Sequence, residues 1–209
     1  GGVIWDTPLG LFTGQHKSQP SDNTLQNYSS SIDDFIGKIV VATEGYMNEY
    51  MESGSAAITI NDAWTNIALA NTYRDKRVYG VINGINRKRR IDPDKADEER
   101  SPSSSYHPCV VTGSDGEPVY DEWIHVNSIG EGAVWVCNIS GSLENGDLIT
   151  TSAVSGYGVK QEDDLFHNYT LGKMTMDCNF SGSGYVTGSV THNSVTYKTA
   201  FVGCTYHCG

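Results

Sequence analysis

Apolar residues occur along this chain in short runs that alternate with polar residues, and turn-forming residues separate the runs. The clearest runs are residues 38–42, 78–82, 123–127, 133–138, 171–178 and 198–204. Short runs rich in valine, isoleucine and aromatic residues, bounded by Gly, Asn, Asp and Ser, are typical of β-strands. Their regular spacing favours a barrel, a sandwich or a clip-like β fold. The pattern therefore predicts a mainly β, single-domain protein with long loops and little helix.

Local signals refine this prediction at a few places. Asn145-Gly146 lies between apolar residues and predicts a tight hairpin across residues 143–150, because both central positions of such a turn favour positive φ. Further strands are predicted at 58–60 and 109–111. Helical turns are expected only within 44–51 and 62–70, and neither segment carries a full amphipathic face.

The chain divides by composition into an arm, a domain and an inserted loop. Residues 1–36 lack a sustained hydrophobic period and predict an irregular N-terminal arm. Residues 37–209 predict the β-rich domain. Within it, residues 86–105 combine a basic run, an acidic run and a serine-rich segment, which is typical of a long exposed loop.

The net charge and the cysteine count indicate which partners the protein can bind and in which redox compartment it is made. The formal net charge of −11 over 209 residues opposes binding to nucleic acid and to anionic membrane surfaces, so neither partner is expected. The cysteine count of five excludes a fully paired intrachain disulfide framework. Cys137 ends an apolar run and predicts a buried thiol. We therefore expect synthesis in a reducing compartment.

One block of motifs resembles a known family. The motifs are GEGAVWVCN (130–138), LENGDLITTS (143–152), GYGVKQ (156–161), HNYT (167–170), MDC (176–178) and GCTYHCG (203–209), with TGQH (13–16) and GKIVV (37–41) upstream. Together they resemble the C-terminal module of fibre and tailspike-like proteins of tailed phages and large algal DNA viruses. Such modules are intramolecular chaperones of the autoproteolytic peptidase G2 type.

The resemblance implies a location, a partner and an activity. It implies a virion protein that forms a homotrimer, acts on the upstream fibre domains of its own precursor and is released by self-cleavage. Phage members carry an Asp at the cut and a Glu three residues later. Here Asp22 follows Ser21, but Leu25 occupies the position of that Glu.

Three residues are candidates for acid–base chemistry. His16 follows an apolar anchor on a predicted loop, and an unperturbed imidazole titrates near neutrality. His167 follows a run of three carboxylates that can favour its charged form. Glu131 lies between two glycines, where backbone can approach a ligand closely. The alternatives are a surface or capping histidine for His16, a solvated acidic turn for the segment that precedes His167, and a turn residue with a free carboxylate for Glu131.

Two further chemistries remain open at this level. Aromatic residues mixed with carboxylates favour sugar binding or cleavage, and Trp123, Tyr157 and Asn168 are the candidate substrate contacts. Cys178, Cys204, His207 and Cys208 offer four metal donors, but the usual Cys-x2-Cys spacing is absent, and buried or interfacial thiols are the alternative. We expect no metal and no cofactor.

These observations predict a C-terminal assembly module of a viral fibre or spike-like protein, associated with autoproteolytic release. A virion-associated hydrolase or lyase that degrades host cell-wall polysaccharide is the first alternative. A non-catalytic tip that binds a glycan receptor on the host surface is the second. If the protein is an enzyme, hydrolysis is the favoured reaction, acting on its own precursor or on the wall glycan.

Overall fold

A computed structural model describes residues 2–6, 11–25, 28–47, 64–89, 114, 120–182 and 184–208. The strands in these residues are β1 (Gly2–Asp6), β2 (Leu11–Pro20), β3 (Ile39–Met47), β4 (Trp64–Leu69), β5 (Val78–Arg89), β6 (Tyr120–Cys137), β7 (Leu148–Thr151), β8 (Gly158–Lys160), β9 (Thr170–Met174), β10 (Val186–His192) and β11 (Val195–His207). Short 3-10 turns occur at Asn23–Leu25, Ile32–Asp34 and Asn138–Ser140. The prediction of a mainly β protein with little helix is confirmed.

All eleven strands belong to one sheet, and their pairings close two rings that share β6. The first ring follows the order β2-β4-β3-β5-β6 and returns to β2, and the second follows β6-β8-β7-β9-β11 and returns to β6. The 18-residue length of β6 allows this sharing, because residues 124–129 pair with β2 and residues 129–137 pair with β11. Closure satisfies strand edges that would otherwise be unpaired. β1 and β10 flank the rings as partners of β2 and β11.

By its internal contacts the chain divides into two compact units. Gly1–Gly84 and Ile124–Gly209 form one unit, and Ile85–Trp123 form the other. The largest core cluster belongs to the first unit and draws on β3, β6, β9 and β11. Its fully buried members include Ile39, Val134, Val136, Leu171 and Ala200.

Part of the predicted N-terminal arm is regular structure. β1 and β2 lie within residues 1–36, and β2 pairs with both β4 and β6. Apolar alternation is absent from this segment because polar residues occupy both faces of β2. His16 and the fully buried Ser18 lie on one face, while Gln15 and the exposed Lys17 lie on the other. The arm therefore joins the sheet through backbone hydrogen bonds that hydrophobic patterning does not reveal.

The predicted hairpin at Asn145-Gly146 is wrong in its pairing, although the turn is present. Gly146 has φ +98° and the Asp147 N–H donates to the Glu144 carbonyl. The two flanking segments do not pair with each other. Leu143 instead pairs with Cys178, and Leu148 pairs with Lys173. The turn thus connects two segments that both pair with residues 170–178 and do not pair with each other.

Other local predictions also differ from the structure. The strands predicted at 123–127 and 133–138 are one continuous strand, β6, which passes through Gly130 at φ +116°. The segments considered for helical turns contribute to β3 and β4. β5 extends to Arg89 and so takes in the start of the predicted loop at 86–105. The rest of that loop, and the strands predicted at 58–60 and 109–111, lie outside the described residues.

In the described part of the chain, no helix has the length and apolar character needed to cross a membrane.

Candidate functional site

His16 lies on β2 beside an aromatic ring. It is half-buried and directly opposite Val126 of β6, so it shares a face with that fully buried side chain. Its ring centroid lies 5.2 Å from that of Tyr79. Burial lowers the pKa of His16, which favours the neutral imidazole. The environment is that of a packed histidine on a strand, where a loop residue was predicted.

The three candidate acid–base residues occupy separate places in one chain. Glu131 is exposed and pairs with Thr205 of β11. It lies five positions along β6 from Val126, the residue opposite His16. Five positions along a strand span up to about 16 Å. His167 contacts Asp163 and Tyr169. No contact in the described residues joins His16, Glu131 and His167 to one another.

The candidate substrate contacts differ in accessibility. Trp123 is only 7% exposed, which leaves little of its ring for an external sugar. Tyr157 is half-buried and packs edge-on against Trp135 at 6.3 Å. Asn168 is exposed on the segment between β8 and β9. Of the three, Asn168 alone lies next to another predicted residue, His167.

A buried amide organises the segment between β8 and β9. Gln161 is 2% exposed, and its Nε2 donates to the Asp163 carbonyl (3.0 Å), to Asp163 Oδ1 (3.0 Å) and to the Leu165 carbonyl (2.7 Å). Its Oε1 accepts from the Thr170 hydroxyl at 2.7 Å. Thr170 Oγ1 in turn accepts from the His167 N–H at 3.0 Å. One side chain thus fixes the path of residues 161–170.

This organised segment presents two apolar side chains to solvent. Leu165 is 66% exposed and Phe166 is 62% exposed. The Phe166 ring lies 5.3 Å from the His207 ring, and His207 is directly opposite Ile129, which is 43% exposed. We call Ile129, Leu165, Phe166 and His207 the apolar patch. Sequence patterning missed it because Leu165-Phe166 is an isolated apolar pair within a polar segment.

A stack of planar side chains begins at His167. The His167 ring lies 4.5 Å from the Tyr169 ring at an interplanar angle of 20°, and its Nε2 lies 2.9 Å from Asp163 Oδ1. The Arg74 guanidinium lies over both Tyr169 (5.3 Å) and Tyr73 (5.1 Å). Hydrogen bonds from the Leu165 N–H and the His167 ring hold the pKa of Asp163 below its usual range.

Lys38 is a second unusual group that the sequence did not single out. Its Nζ lies 3.3 Å from the centroid of the Tyr157 ring and 5.3 Å from that of Trp135. The ring faces favour the ammonium form, but burial favours the neutral amine more strongly and lowers the pKa of Lys38 to about 8. Lys38 is therefore a partly buried amine that titrates within reach of neutral pH.

Lys38 is expected to show a distinct pH profile of chemical acetylation. At pH 7.5 roughly a quarter of amines with such a pKa are neutral, against about one in a thousand for an ordinary lysine. Its rate of reaction with an activated acetyl ester should level off above about pH 8–9, once the amine is fully neutral. Peptide mass spectrometry after brief labelling measures this rate. A free lysine amide in the same solution is the control and should keep gaining rate up to about pH 10; a parallel rise at Lys38 contradicts the expectation.

The four cysteines in the described residues are buried thiols. Cys137, Cys178, Cys204 and Cys208 are free and buried, which confirms the prediction for Cys137. Burial raises the pKa of Cys204 and of Cys208 to about 12, so both are protonated at neutral pH. Among the described residues, no three His, Cys, Asp or Glu side chains are arranged to hold a metal ion. Cys109 lies outside the described residues.

No protein-family model, curated protein or solved structure matches this chain.

Proposed function

We propose that this chain is the C-terminal assembly module of a viral fibre or spike-like protein and that it forms a homotrimer through the apolar patch. The observation that carries the proposal is the exposure of Leu165 and Phe166 on a segment held in place by Gln161. A preorganised segment loses little conformational entropy when a partner covers it, so its apolar area contributes efficiently to binding. Large apolar side chains grouped at the surface are typical of interaction sites.

The charges around the patch are compatible with self-association. A formal charge of −11 per chain opposes contact between copies. Next to the patch, however, Arg74 pairs with Glu162 at 2.9 Å and lies 3.8 Å from Asp163. Local neutralisation of these carboxylates lowers the repulsion at this point of the surface. The patch is therefore a favourable place for copies of the chain to meet.

The proposal has a second part, which is release from a longer precursor by self-cleavage. Its support is the resemblance of residues 130–178 to autoproteolytic fibre modules. The precursor should then appear as two bands after expression with about a hundred upstream residues. A single band of full mass would remove self-cleavage from the proposal and leave assembly standing.

Replacing Leu165 and Phe166 by serine is expected to convert the trimer to a monomer. Removing both side chains takes away central apolar contacts, whose truncation commonly weakens association by orders of magnitude. The unfolding temperature of the isolated module should shift little beyond the loss of assembly, because both side chains are exposed. Light scattering coupled to gel filtration at micromolar concentration measures the mass.

Val186→Ser is the matched control for this experiment. Val186 is as exposed as Phe166 but lies on β10, outside the apolar patch, so its replacement should leave the trimer intact. A monomeric wild-type protein contradicts the assembly function. A trimer that survives the double replacement assigns the interface to another surface.

A further inference from the structure

The stacked side chains next to the apolar patch form a second surface of defined chemistry. Tyr73, Arg74, His167 and Tyr169 make up what we call the planar stack, in which a phenol, a guanidinium, a second phenol and an imidazole contact in turn. The members come from two segments far apart in sequence, the turn after β4 and the segment before β9. Tertiary structure alone brings them together.

The turn that carries Tyr73 and Arg74 is fixed on both sides by one buried threonine. Thr151 Oγ1 donates to the Thr72 carbonyl (2.8 Å) and accepts from the Asp75 N–H (2.8 Å). Between these anchors Arg74 has φ +56°, a left-handed conformation that costs a non-glycine residue about 1–2 kcal/mol. Strain held in place by surrounding bonds is characteristic of functional positions.

Acidic side chains form ion pairs with two members of the planar stack. Glu162 Oε2 lies 2.9 Å from Arg74 Nη2, and Asp163 holds His167. Arg74 Nε, by contrast, is buried without a hydrogen-bond partner. An unsatisfied donor and a strained backbone both oppose stability, so packing energy by itself does not account for this arrangement.

The outer end of the planar stack is open to solvent. Tyr73 is 39% exposed, and the Glu162 side chain beside Arg74 is 70% exposed. An aromatic ring next to a carboxylate and a guanidinium is complementary to a sugar, which has an apolar C–H face and polar hydroxyl groups. The C–H face of a pyranose packs on the ring, and adjacent hydroxyls bond to the charged groups. The formal net charge of −11 opposes the approach of acidic sugars.

We propose that the planar stack binds a neutral polysaccharide, with Tyr73 as the stacking surface and Glu162 and Arg74 as partners of the sugar hydroxyls. This function is separate from assembly, because no residue of the planar stack belongs to the apolar patch. A trimer would display three copies of the site. Repetition of weak sites raises the overall affinity for a repeating polymer.

Calorimetric titration with cellohexaose, chitohexaose, laminarihexaose and mannohexaose tests the proposal. We expect the wild-type protein to bind at least one of these neutral oligosaccharides and not to bind oligogalacturonate. Tyr73→Ala should weaken binding by about tenfold or more, the loss typical of removing a central aromatic contact. Glu162→Gln should weaken it less, because the amide retains one hydrogen-bonding oxygen.

Two controls separate the outcomes. Tyr197→Ala removes a partly buried tyrosine on β11, away from the planar stack, and should leave sugar affinity unchanged. The serine double variant of the apolar patch should bind a single oligosaccharide as the wild type does, which distinguishes this site from the proposed assembly. The proposal is overturned if no neutral oligosaccharide binds, if oligogalacturonate binds better, or if Tyr73→Ala leaves the affinity unchanged.

Discussion

Replacement of Gly172 by alanine is expected to destabilise the protein by about 3 kcal/mol or more. Gly172 lies on β9, opposite Tyr206 of β11 and Ile149 of β7. A Cβ atom at this position would overlap the carbonyl oxygen of Thr205 and lie 3.0 Å from its carbonyl carbon. The obstacle is backbone in the centre of the second ring, so it cannot move without breaking the pairing of two strands. Overpacking of this kind commonly costs about 1–3 kcal/mol, and more where backbone must shift.

The measurement is the yield of soluble protein and its circular dichroism. Gly84→Ala is the matched control, because a Cβ there meets nothing within 4 Å and no positive φ is required. Alanine at that position should be neutral or slightly stabilising, since it reduces the entropy of the unfolded chain. A Gly172→Ala protein that folds with wild-type stability would show that β9 and β11 do not approach as closely as described.

Gln161→Leu is expected to destabilise the protein by about 3 kcal/mol, which lowers the unfolding temperature by roughly 6–12 °C. The side chains are similar in volume, so the effect comes from lost hydrogen bonds. Nε2 and Oε1 of Gln161 make hydrogen bonds with four partners, which the variant cannot make. The buried Thr170 hydroxyl then loses its acceptor, Gln161 Oε1. Because the amide fixes residues 161–170, the variant should also lose the presentation of Leu165 and Phe166.

Two measurements follow this variant. Differential scanning calorimetry gives the stability, and hydrogen exchange gives the protection of the Leu165 N–H, which donates to Asp163 Oδ1 at 3.0 Å in the intact segment. Gln15→Leu is the control, because in the described part of the chain that half-buried side chain makes a single hydrogen bond, with His125 at 3.3 Å. If Gln161→Leu changes neither stability nor exchange at Leu165, another interaction organises the segment.

The candidate site could be predicted only in part. His167 and Asn168 stood out in the sequence because they follow three carboxylates, and the structure places His167 in the planar stack. Its partners Tyr73 and Arg74 gave no signal, because they lie some ninety positions earlier in an ordinary polar turn. The sequence likewise gave no indication of the unusual environment of Lys38, because that environment is formed by the distant residues Trp135 and Tyr157.

The class of fold, the positions of most strands and the burial of Cys137 could all be predicted from sequence patterns. These are local properties: β-propensity and alternation are carried by neighbouring residues. Three features could be seen only in the folded protein: β2 joins the sheet, β6 belongs to two rings, and the Asn145-Gly146 turn does not form a hairpin. Each of these features depends on backbone hydrogen bonds between segments that are distant in sequence. The partner strand in such a pairing is not specified by the local pattern of side chains, so the pairing could not be predicted from that pattern.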